Sequence, residues 1–156
     1  MADSWRYRLA RWTWLRSRLR KPLAARYDIA RDRSEVAEFC GALDDHLAPA
    51  WPSVDAVRAL QVALDELLTN VVDYAQGGST DPIGLSLAAD TNAITVEIRY
   101  RADAYDPTAR AAPDTTLSVA DRPIGGLGVH LVQQMMDAFT HRYEDGHNVL
   151  TLVKRD

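Results

Sequence analysis

Cysteine is almost absent from this sequence of 156 residues, and long apolar stretches are absent too. The single cysteine, Cys40, has no partner for an intramolecular disulfide, which suits a reducing compartment. No apolar run approaches the roughly 20 residues that a membrane-spanning helix needs. Arginines interrupt every apolar run near the N-terminus, which argues against a secretory signal. We therefore expect a cytoplasmic protein.

Charge is distributed unevenly along the chain, although 47% hydrophobic and 26% charged residues are typical of one globular domain. Residues 1–21 contain seven basic residues and one acidic residue, so the net charge of −4 divides into +6 there and −10 elsewhere. An acidic body does not favour direct binding of nucleic acid. We expect residues 1–22 to form a basic, aromatic N-terminal helix or extension, and residues 23–156 to form one domain.

The N-terminal segment WRYRLARWTWLRSRLRK, residues 5–21, predicts a basic helix. At about 100° per residue, Trp5, Leu9 and Trp12 gather on one side of it. Three functions are compatible with this pattern: packing on protein, contact with an anionic membrane surface, and electrostatic binding of nucleic acid. A poorly ordered segment is a fourth alternative.

The rest of the chain mixes strand and helix patterns without an internal repeat. Alternation with a period of two predicts strands, whereas capping residues and a period of 3.6 predict helices. Consecutive strands with few helices predict an α+β fold, a two-layer sandwich with helices on one face of a mixed, mostly antiparallel sheet. The predicted strands are 23–30, 83–89, 93–100, 139–144 and 148–154, and the predicted helices run over about 32–47, 54–74 and 125–136.

The helix predicted at 54–74 carries three polar residues, Glu66, Asn70 and Asp73, along one edge beside its apolar stripe. An asparagine carbonyl oxygen can ligate a hard cation such as Mg²⁺. A glutamate one turn earlier can act as general base on a hydroxyl near that metal. The alternative is the ordinary solvent side of an amphipathic helix, and this helix alone does not decide between them.

A glycine cluster in the segment GGLG, residues 125–128, runs directly into the last predicted helix. Glycine permits close backbone approach, and the unpaired N–H groups of a helix N-terminus suit phosphate. The alternative is a loop with a glycine hinge. The preceding residues, 101–124, contain three prolines and no regular period, which suits a lid that closes over a ligand.

Together these motifs resemble a known superfamily. ELLTN on a helix, YDP after a strand, GGLG opening a helix and DGHNVLTLVK near the end resemble the GHKL (Bergerat-fold) ATP-binding superfamily. The compact single-domain form is similar to the RsbW-type bacterial anti-sigma factor serine/threonine kinases. The resemblance covers about residues 23–155, and it implies a Bergerat-type ATP-binding fold for the domain at 23–156.

The resemblance also implies a role for each matching residue. Glu66 matches the general base that activates a serine of the partner protein. Asn70 matches the Mg²⁺ ligand that couples the metal to the phosphates of ATP. The motif whose backbone holds those phosphates matches four residues, Gly125, Gly126, Leu127 and Gly128.

The motif that reads adenine in this superfamily departs from the usual pattern here. It usually begins with aspartate and has glycine two residues later, where this chain has Tyr100 and Ala102. Asp103 and Asp106 are the candidate substitutes for the missing carboxylate, and Asp73 lies near the same site. We therefore count all three aspartates among the candidate cofactor-binding residues.

The function that the resemblance implies is partner switching. Family members bind ATP with Mg²⁺, bind a sigma factor, phosphorylate a STAS-domain antagonist on serine, and usually form homodimers. The alternative is a non-catalytic module with a degenerate nucleotide site that sequesters a sigma factor or STAS-type partner. The Glu66 and Asn70 pair favours the kinase, whereas Tyr100 and Ala102 favour the module. A third reading, a detached histidine-kinase catalytic domain, requires a separate phosphoacceptor helix, and none is evident.

Overall fold

A computed structural model describes residues 22–50, 52–90, 92–109 and 127–155. The predicted basic helix at 5–21, the glycines Gly125 and Gly126 and most of the predicted lid lie outside these ranges. The division of the chain at residue 22 therefore stays a prediction.

The described residues form five strands and four helices. The strands are β1 (Leu23–Ile29), β2 (Ile83–Ala89), β3 (Ala93–Arg101), β4 (Ala138–Glu144) and β5 (His147–Arg155). The helices are α1 (Arg33–Gly41), α2 (Leu43–Leu47), α3 (Val54–Tyr74) and α4 (Leu127–Met135), with short 3₁₀ turns at Ala48–Ala50 and Pro107–Ala109. The predicted α+β sandwich is confirmed.

One five-stranded sheet forms in the order β1-β2-β3-β5-β4, and every neighbouring pair is antiparallel. Strand side chains alternate between the two faces of the sheet. On β3 the buried positions are Ile94, Val96, Ile98 and Tyr100, all in one phase. This phase defines the inner face of the sheet, which packs against the helices.

Two hairpin turns have the chemistry that the sequence predicts. Asp90 accepts hydrogen bonds through its carboxylate from the backbone N–H groups of Asn92 and Ala93, at 2.7 and 2.9 Å. Asp145 and Gly146 have φ values of +51° and +75°, the left-handed pair that a two-residue turn between twisted strands requires. The second turn sets the register in which Glu144 faces His147.

The helix predicted from residue 32 to 47 is two helices in the structure. Asp32 caps α1 by accepting from Ser34 N–H, but Glu35 accepts from Ala30 N–H rather than closing a capping box on Asp32. Helix α1 ends at Gly41. The Ala42 N–H donates to the carbonyls of Glu38 and Phe39 in its last turn. Glycine at the end of a helix weakens its continuation, which favours this break.

Helix α3 is the central helix of the fold and matches its predicted bounds. Ser53 caps it by accepting from Ala56 N–H at 3.2 Å. Its apolar stripe, which includes Leu60, Leu64 and Leu68, is fully buried between the sheet and the shorter helices. None of the described helices is long and apolar enough to cross a membrane.

The burial of α3 predicts the effect of truncating its stripe. Leu64→Ala should lower the free energy of unfolding by about 2–5 kcal/mol, because Leu64 is completely buried and leaves a cavity. Val62→Ala, two residues earlier on the same helix and 44% exposed, should change it by about 0.5 kcal/mol or less. Urea unfolding of both variants measures the difference, and equal losses would contradict this account of the core.

Candidate functional site

A cavity of about 500 Å³ lies between the C-terminal half of α3, the end of β3, the loop that follows β3, and α4. Its volume is within the range of small-molecule binding sites. Apolar side chains provide much of its wall, and polar groups converge at a few points. The apolar and aromatic lining includes Leu67, Val71, Tyr74, Tyr100, Tyr105 and Leu150.

Glu66 and Asn70 lie one turn apart on α3, and Asn70 is the one of the two that lines this cavity. The Asn70 carboxamide donates from Nδ2 to Glu66 Oε1 at 2.9 Å, and Asn70 lines the cavity. This hydrogen bond leaves Asn70 Oδ1 without a hydrogen-bond partner among the described residues. The helical spacing that the sequence indicated therefore does bring these two side chains together.

The start of α4 packs directly against Glu66. A Cβ atom built on Gly128 would lie 2.0 Å from Glu66 Cδ and 2.0 Å from Glu66 Oε1. No side chain at position 128 is compatible with this position of the carboxylate. Gly128 is thus the glycine of the GGLG segment whose role the described structure explains: it lets the α4 backbone approach the carboxylate of Glu66.

The oxygen atoms at this site suit a Mg²⁺ ion that is bound together with a phosphate-containing ligand. The described residues contain no cluster of three or more histidine, cysteine or acidic side chains that could hold a metal ion by themselves. Mg²⁺ commonly takes only one or two protein oxygens and completes its shell with water and phosphate oxygens. Asn70 Oδ1, which has no hydrogen-bond partner among the described residues, lies beside the cavity and fits that pattern.

The loop after β3 forms one wall of the cavity and is held by a buried asparagine. Asn148, on the inner face of β5, is completely buried. Its Oδ1 accepts from Tyr105 N–H at 2.9 Å, and its Nδ2 donates to the Asp103 carbonyl at 2.8 Å. His141 Nε2 also lies 2.9 Å from Asn148 Oδ1 and is the donor of that contact. One side chain thus fixes two residues of the loop and a neighbouring strand.

Sequence reasoning missed Asn148, although a signal was present. Asn148 has the same strand phase as Leu150 and Leu152, which are core residues. A polar residue in the buried phase of a strand must find hydrogen-bond partners. The phase therefore indicated a buried polar anchor, but not which loop it would hold.

Two of the predicted aspartates stabilise the loop. Asp103 donates its backbone N–H to the Gln76 carbonyl at 3.1 Å, and it packs closely on Gly77, whose φ of +102° favours glycine. Asp106 accepts from the backbone N–H and hydroxyl of Thr108 at 2.8 and 2.6 Å. The Thr108 hydroxyl is the main cause of a lowered pKa of the Asp106 carboxyl, and nearby His141 contributes. Asp103 lines the cavity, and its contribution and that of Asp106 to ligand binding stay predictions.

Asp73 forms an ion pair with Arg33, the first residue of α1. Its carboxylate accepts from the guanidinium of Arg33, with Nε to Oδ1 at 3.0 Å and a second bond from Nη2 to Oδ2. This contact joins the start of α1 to the end of α3. The Asp73 carboxylate is therefore engaged by Arg33, and a role for Asp73 in ligand binding stays a prediction.

Tyr100 and Ala102, the two departures from the adenine motif, both line the cavity. They are 4% and 7% exposed. Burial raises the pKa of the Tyr100 phenol to about 12, so this side chain is neutral at physiological pH. The wall where the superfamily usually places a carboxylate is here a neutral phenol and a methyl group.

The fold and the cavity together define a class of protein, the two-layer α+β sandwiches with a cavity of small-molecule size. Residues 29–154 match the family described as the histidine kinase-like ATPase domain, and the chain belongs to this family. A second finding narrows the class. Over 95 residues the chain is 34% identical to the serine/threonine-protein kinase BtrW of Bordetella bronchiseptica, covering 60% of this chain and 67% of the relative. The chain is an RsbW-type member of the GHKL superfamily, as the sequence motifs predicted.

Solved structures share the fold. The crystal structure of the RsbU and RsbW domains of Rv1364c from Mycobacterium tuberculosis superposes with a TM-score of 0.60 at 12% identity, covering 85% of this chain. The match spans 32% of that chain, so the present sequence corresponds to about one third of its length. The SiaB–SiaC complex from Pseudomonas aeruginosa contains a chain that matches with a TM-score of 0.53 at 17% identity, covering 99% of this chain and 100% of that one.

The contact between Glu66 and Gly128 predicts a coupled response to substitution. Gly128→Ala should displace the Glu66 carboxylate and break its hydrogen bond with Asn70, because the new Cβ occupies the position of the carboxylate. The side-chain amide resonances of Asn70 in an NMR spectrum should shift. The matched control is Gly41→Ala, where a Cβ meets nothing within 4 Å and the resonances should stay unchanged.

A double-mutant cycle tests the same contact by stability. Gly128→Ala should change the free energy of unfolding less favourably in the wild-type background than after Glu66→Ala, since only the wild type keeps the carboxylate that the new Cβ must displace. Equal effects in the two backgrounds would show that some other contact requires glycine at 128.

The buried position of Asn148 predicts a stability loss that is focused on the loop. Asn148→Ala should lower the free energy of unfolding by about 2–4 kcal/mol, because the Tyr105 N–H and the Asp103 carbonyl lose their partner. Hydrogen exchange at the Tyr105 amide should accelerate. Thr151→Ala, on the opposite face of the same strand, is the control and should leave that amide unchanged. An unchanged Tyr105 amide in Asn148→Ala would contradict the assigned anchor.

Proposed function

We propose that this chain is a partner-switching regulator, an anti-sigma factor with serine/threonine kinase activity that depends on ATP and Mg²⁺. Its substrate would be a serine of a STAS-domain antagonist. The observation that carries the proposal is the Glu66 and Asn70 pair, hydrogen-bonded at the edge of the 500 Å³ cavity and packed against the start of α4. The kinship with BtrW, a serine/threonine-protein kinase, supports the same reaction.

Glu66 is the general base in this proposal. Its Oε1 is held by Asn70, which fixes the carboxylate, and its Oε2 has no hydrogen bond to any described residue. The oxygen of the incoming serine would form the new bond to the γ-phosphorus while the bond to the leaving ADP oxygen breaks. The proton of the serine would pass to Oε2 of Glu66.

Asn70 and the start of α4 would supply the electrostatic stabilisation of the phosphate oxygens. Asn70 Oδ1 would hold Mg²⁺, which when bound neutralises charge on the phosphate oxygens. The N–H groups of the first turn of α4 lack partners within their own helix and suit phosphate oxygens. Both groups are set by the packing of α3 against α4, so they need little rearrangement when the ligand enters.

We propose the protein partners from the similarity of this chain to RsbW-type proteins. An RsbW-type protein would bind a sigma factor in one state and its STAS-domain antagonist in the other, and would work as a homodimer. Similarity to an RsbW domain and to a chain of the SiaB–SiaC complex supports the fold on which such partner binding is built. Contact of residues 5–21 with a membrane surface is a separate proposal, which depends on their basic and aromatic sequence alone.

A second candidate function has its own supporting observation. Tyr100 and Ala102 replace a carboxylate and a glycine on the cavity wall. A chain that binds nucleotide weakly because of this change would regulate by sequestering its partner without phosphorylating it. The two candidates share the fold and differ in whether phosphate is transferred.

Phosphoryl transfer distinguishes the two candidates. With radiolabelled ATP, Mg²⁺ and a panel of STAS-domain proteins from the same genome, the wild-type chain should label one of them on serine. Glu66→Gln should slow the transfer by about 10²- to 10⁴-fold without weakening ATP binding, because it removes only the base. Asn70→Ala should weaken binding of ATP in Mg²⁺, measured by calorimetric titration.

The control is Asp65→Asn, an exposed carboxylate next to Glu66 on the same helix, which should leave both binding and transfer unchanged. ATP binding without transfer to any STAS-domain protein would favour the sequestering module. No heat and no thermal shift at millimolar ATP would overturn nucleotide binding altogether.

A further inference from the structure

His141, on β4, stands between two side chains that hold the loop after β3. Its side chain is 9% exposed, and its two ring nitrogens face different partners. Nε2 lies 2.9 Å from Asn148 Oδ1, and Nδ1 lies 3.6 Å from Asp106 Oδ1. The loop that these partners hold forms one wall of the cavity. The protonation state of this ring therefore bears directly on how the wall is held.

The orientation of the Asn148 amide places a hydrogen atom on Nε2 of the ring. The Tyr105 backbone N–H can only donate, so the atom that it meets at 2.9 Å is the carbonyl oxygen Oδ1 of Asn148. The Nδ2 group of Asn148 correspondingly donates to the Asp103 carbonyl, which can only accept. Because Oδ1 is an acceptor for His141 as well, Nε2 must be the donor of that contact.

The other ring nitrogen faces a carboxylate. With the hydrogen on Nε2, a neutral ring would direct the lone pair of Nδ1 toward Asp106 Oδ1, and two acceptors would face each other. A proton on Nδ1 converts the same contact into an attraction between imidazolium and carboxylate. The hydrogen bond from the Thr108 hydroxyl is the main cause of the lowered pKa of the Asp106 carboxyl, which is therefore ionised at neutral pH. The geometry thus suits a charged ring.

The other titratable groups around the ring are engaged elsewhere. Asp106 is the one charged side chain that pairs with His141 among the described residues, and the residue opposite His141 on β5 is apolar. Tyr143, on the same face of β4, donates its hydroxyl to a carbonyl of the loop. The Asp103 carboxylate packs on the turn after α3. Helix α4 has one titratable residue, His130, which forms no hydrogen bond or ion pair with His141 in the described part of the chain.

We propose that protonation of His141 controls how firmly the loop after β3 is held, so that this wall of the cavity is held more firmly below neutral pH than above it. His141 is a positioning residue in this proposal, because it acts through Asn148 and Asp106. The proposal concerns the loop itself and does not depend on nucleotide binding.

The direction of the pH dependence follows from the two charges. Histidine is the side chain that ordinarily changes charge between about pH 5 and 8. Asp106 stays ionised over that range, so the attraction is present while the His141 ring is charged. As the pH rises and Nδ1 loses its proton, the attraction is lost. The hydrogen bond from Nε2 to Asn148 persists in both states, so the loop is weakened rather than released.

Hydrogen exchange at the Tyr105 amide tests the proposal on the full chain without any ligand. After correction for the intrinsic pH dependence of amide exchange, protection of this amide should fall about two- to fivefold between about pH 5.5 and 7.5, the scale of one partly exposed ion pair. His141→Gln should remove this dependence, because glutamine can donate to Asn148 but carries no charge. Asp106→Asn should also remove it, since its amide oxygen can accept from Thr108 but the charge is gone.

The matched control is His147→Gln on the same hairpin. The His147 ring lies against the Asp145 carbonyl, with Nδ1 at 2.8 Å, and has no contact with the Asn148 side chain among the described hydrogen bonds. This variant should keep the pH dependence of the wild-type protein. Protection of the Tyr105 amide that does not change with pH in the wild type, or a dependence that survives His141→Gln, would overturn the proposal.

A second measurement needs no variant and decides the question if His141→Gln fails to fold. Nitrogen-15 NMR of the wild-type ring should show Nδ1 gaining a proton as the pH falls, while Nε2 keeps its hydrogen throughout. Protection of the Tyr105 amide should rise over the same pH interval. A ring that stays neutral down to about pH 5.5, or one that is protonated without a change in this protection, would refute the assigned role.

Discussion

The close contact between the carboxylate of Glu66 and the backbone at Gly128 is the constraint on which the site depends. It places the start of α4 against the polar edge of α3, so that the groups suited to phosphate and the candidate base meet at one end of a cavity. The hydrogen bond from Asn70 fixes the same carboxylate from the other side. A larger residue at position 128 would displace the Glu66 carboxylate from the position that it holds in this structure.

The opposite wall of the cavity depends on buried hydrogen bonds. Asn148 carries no charge and no exposed surface, yet it connects β5 to the loop after β3 and to His141 on β4. In a low-dielectric interior, such a network is stable only when its members are satisfied. The loop therefore has one preferred position relative to the sheet, and Tyr100 faces a cavity of defined shape.

Most of the fold could be predicted from local patterns, and the pairing of its strands could not. The period of two, the period of 3.6, the cap at Ser53 and the Asp-Gly turn each depend on residues close in sequence. Predicted and observed ends of α3 and β2 accordingly coincide. The position of β5 between β3 and β4 depends on contacts between residues about 50 apart, which no local pattern encodes.

The candidate site likewise has some features that follow from local sequence and others that depend on tertiary contacts. By itself the sequence determined that Glu66 and Asn70 share one helix edge, because their spacing of four residues is a local property of any α-helix. Only the tertiary structure decided that Gly128 lies against Glu66, that Arg33 draws Asp73 to another contact, and that Asn148 holds the loop. The position of a residue along a helix fixes the direction of its side chain around the helix axis. Which residue that side chain contacts depends on the element, distant in sequence, that packs against that face of the helix.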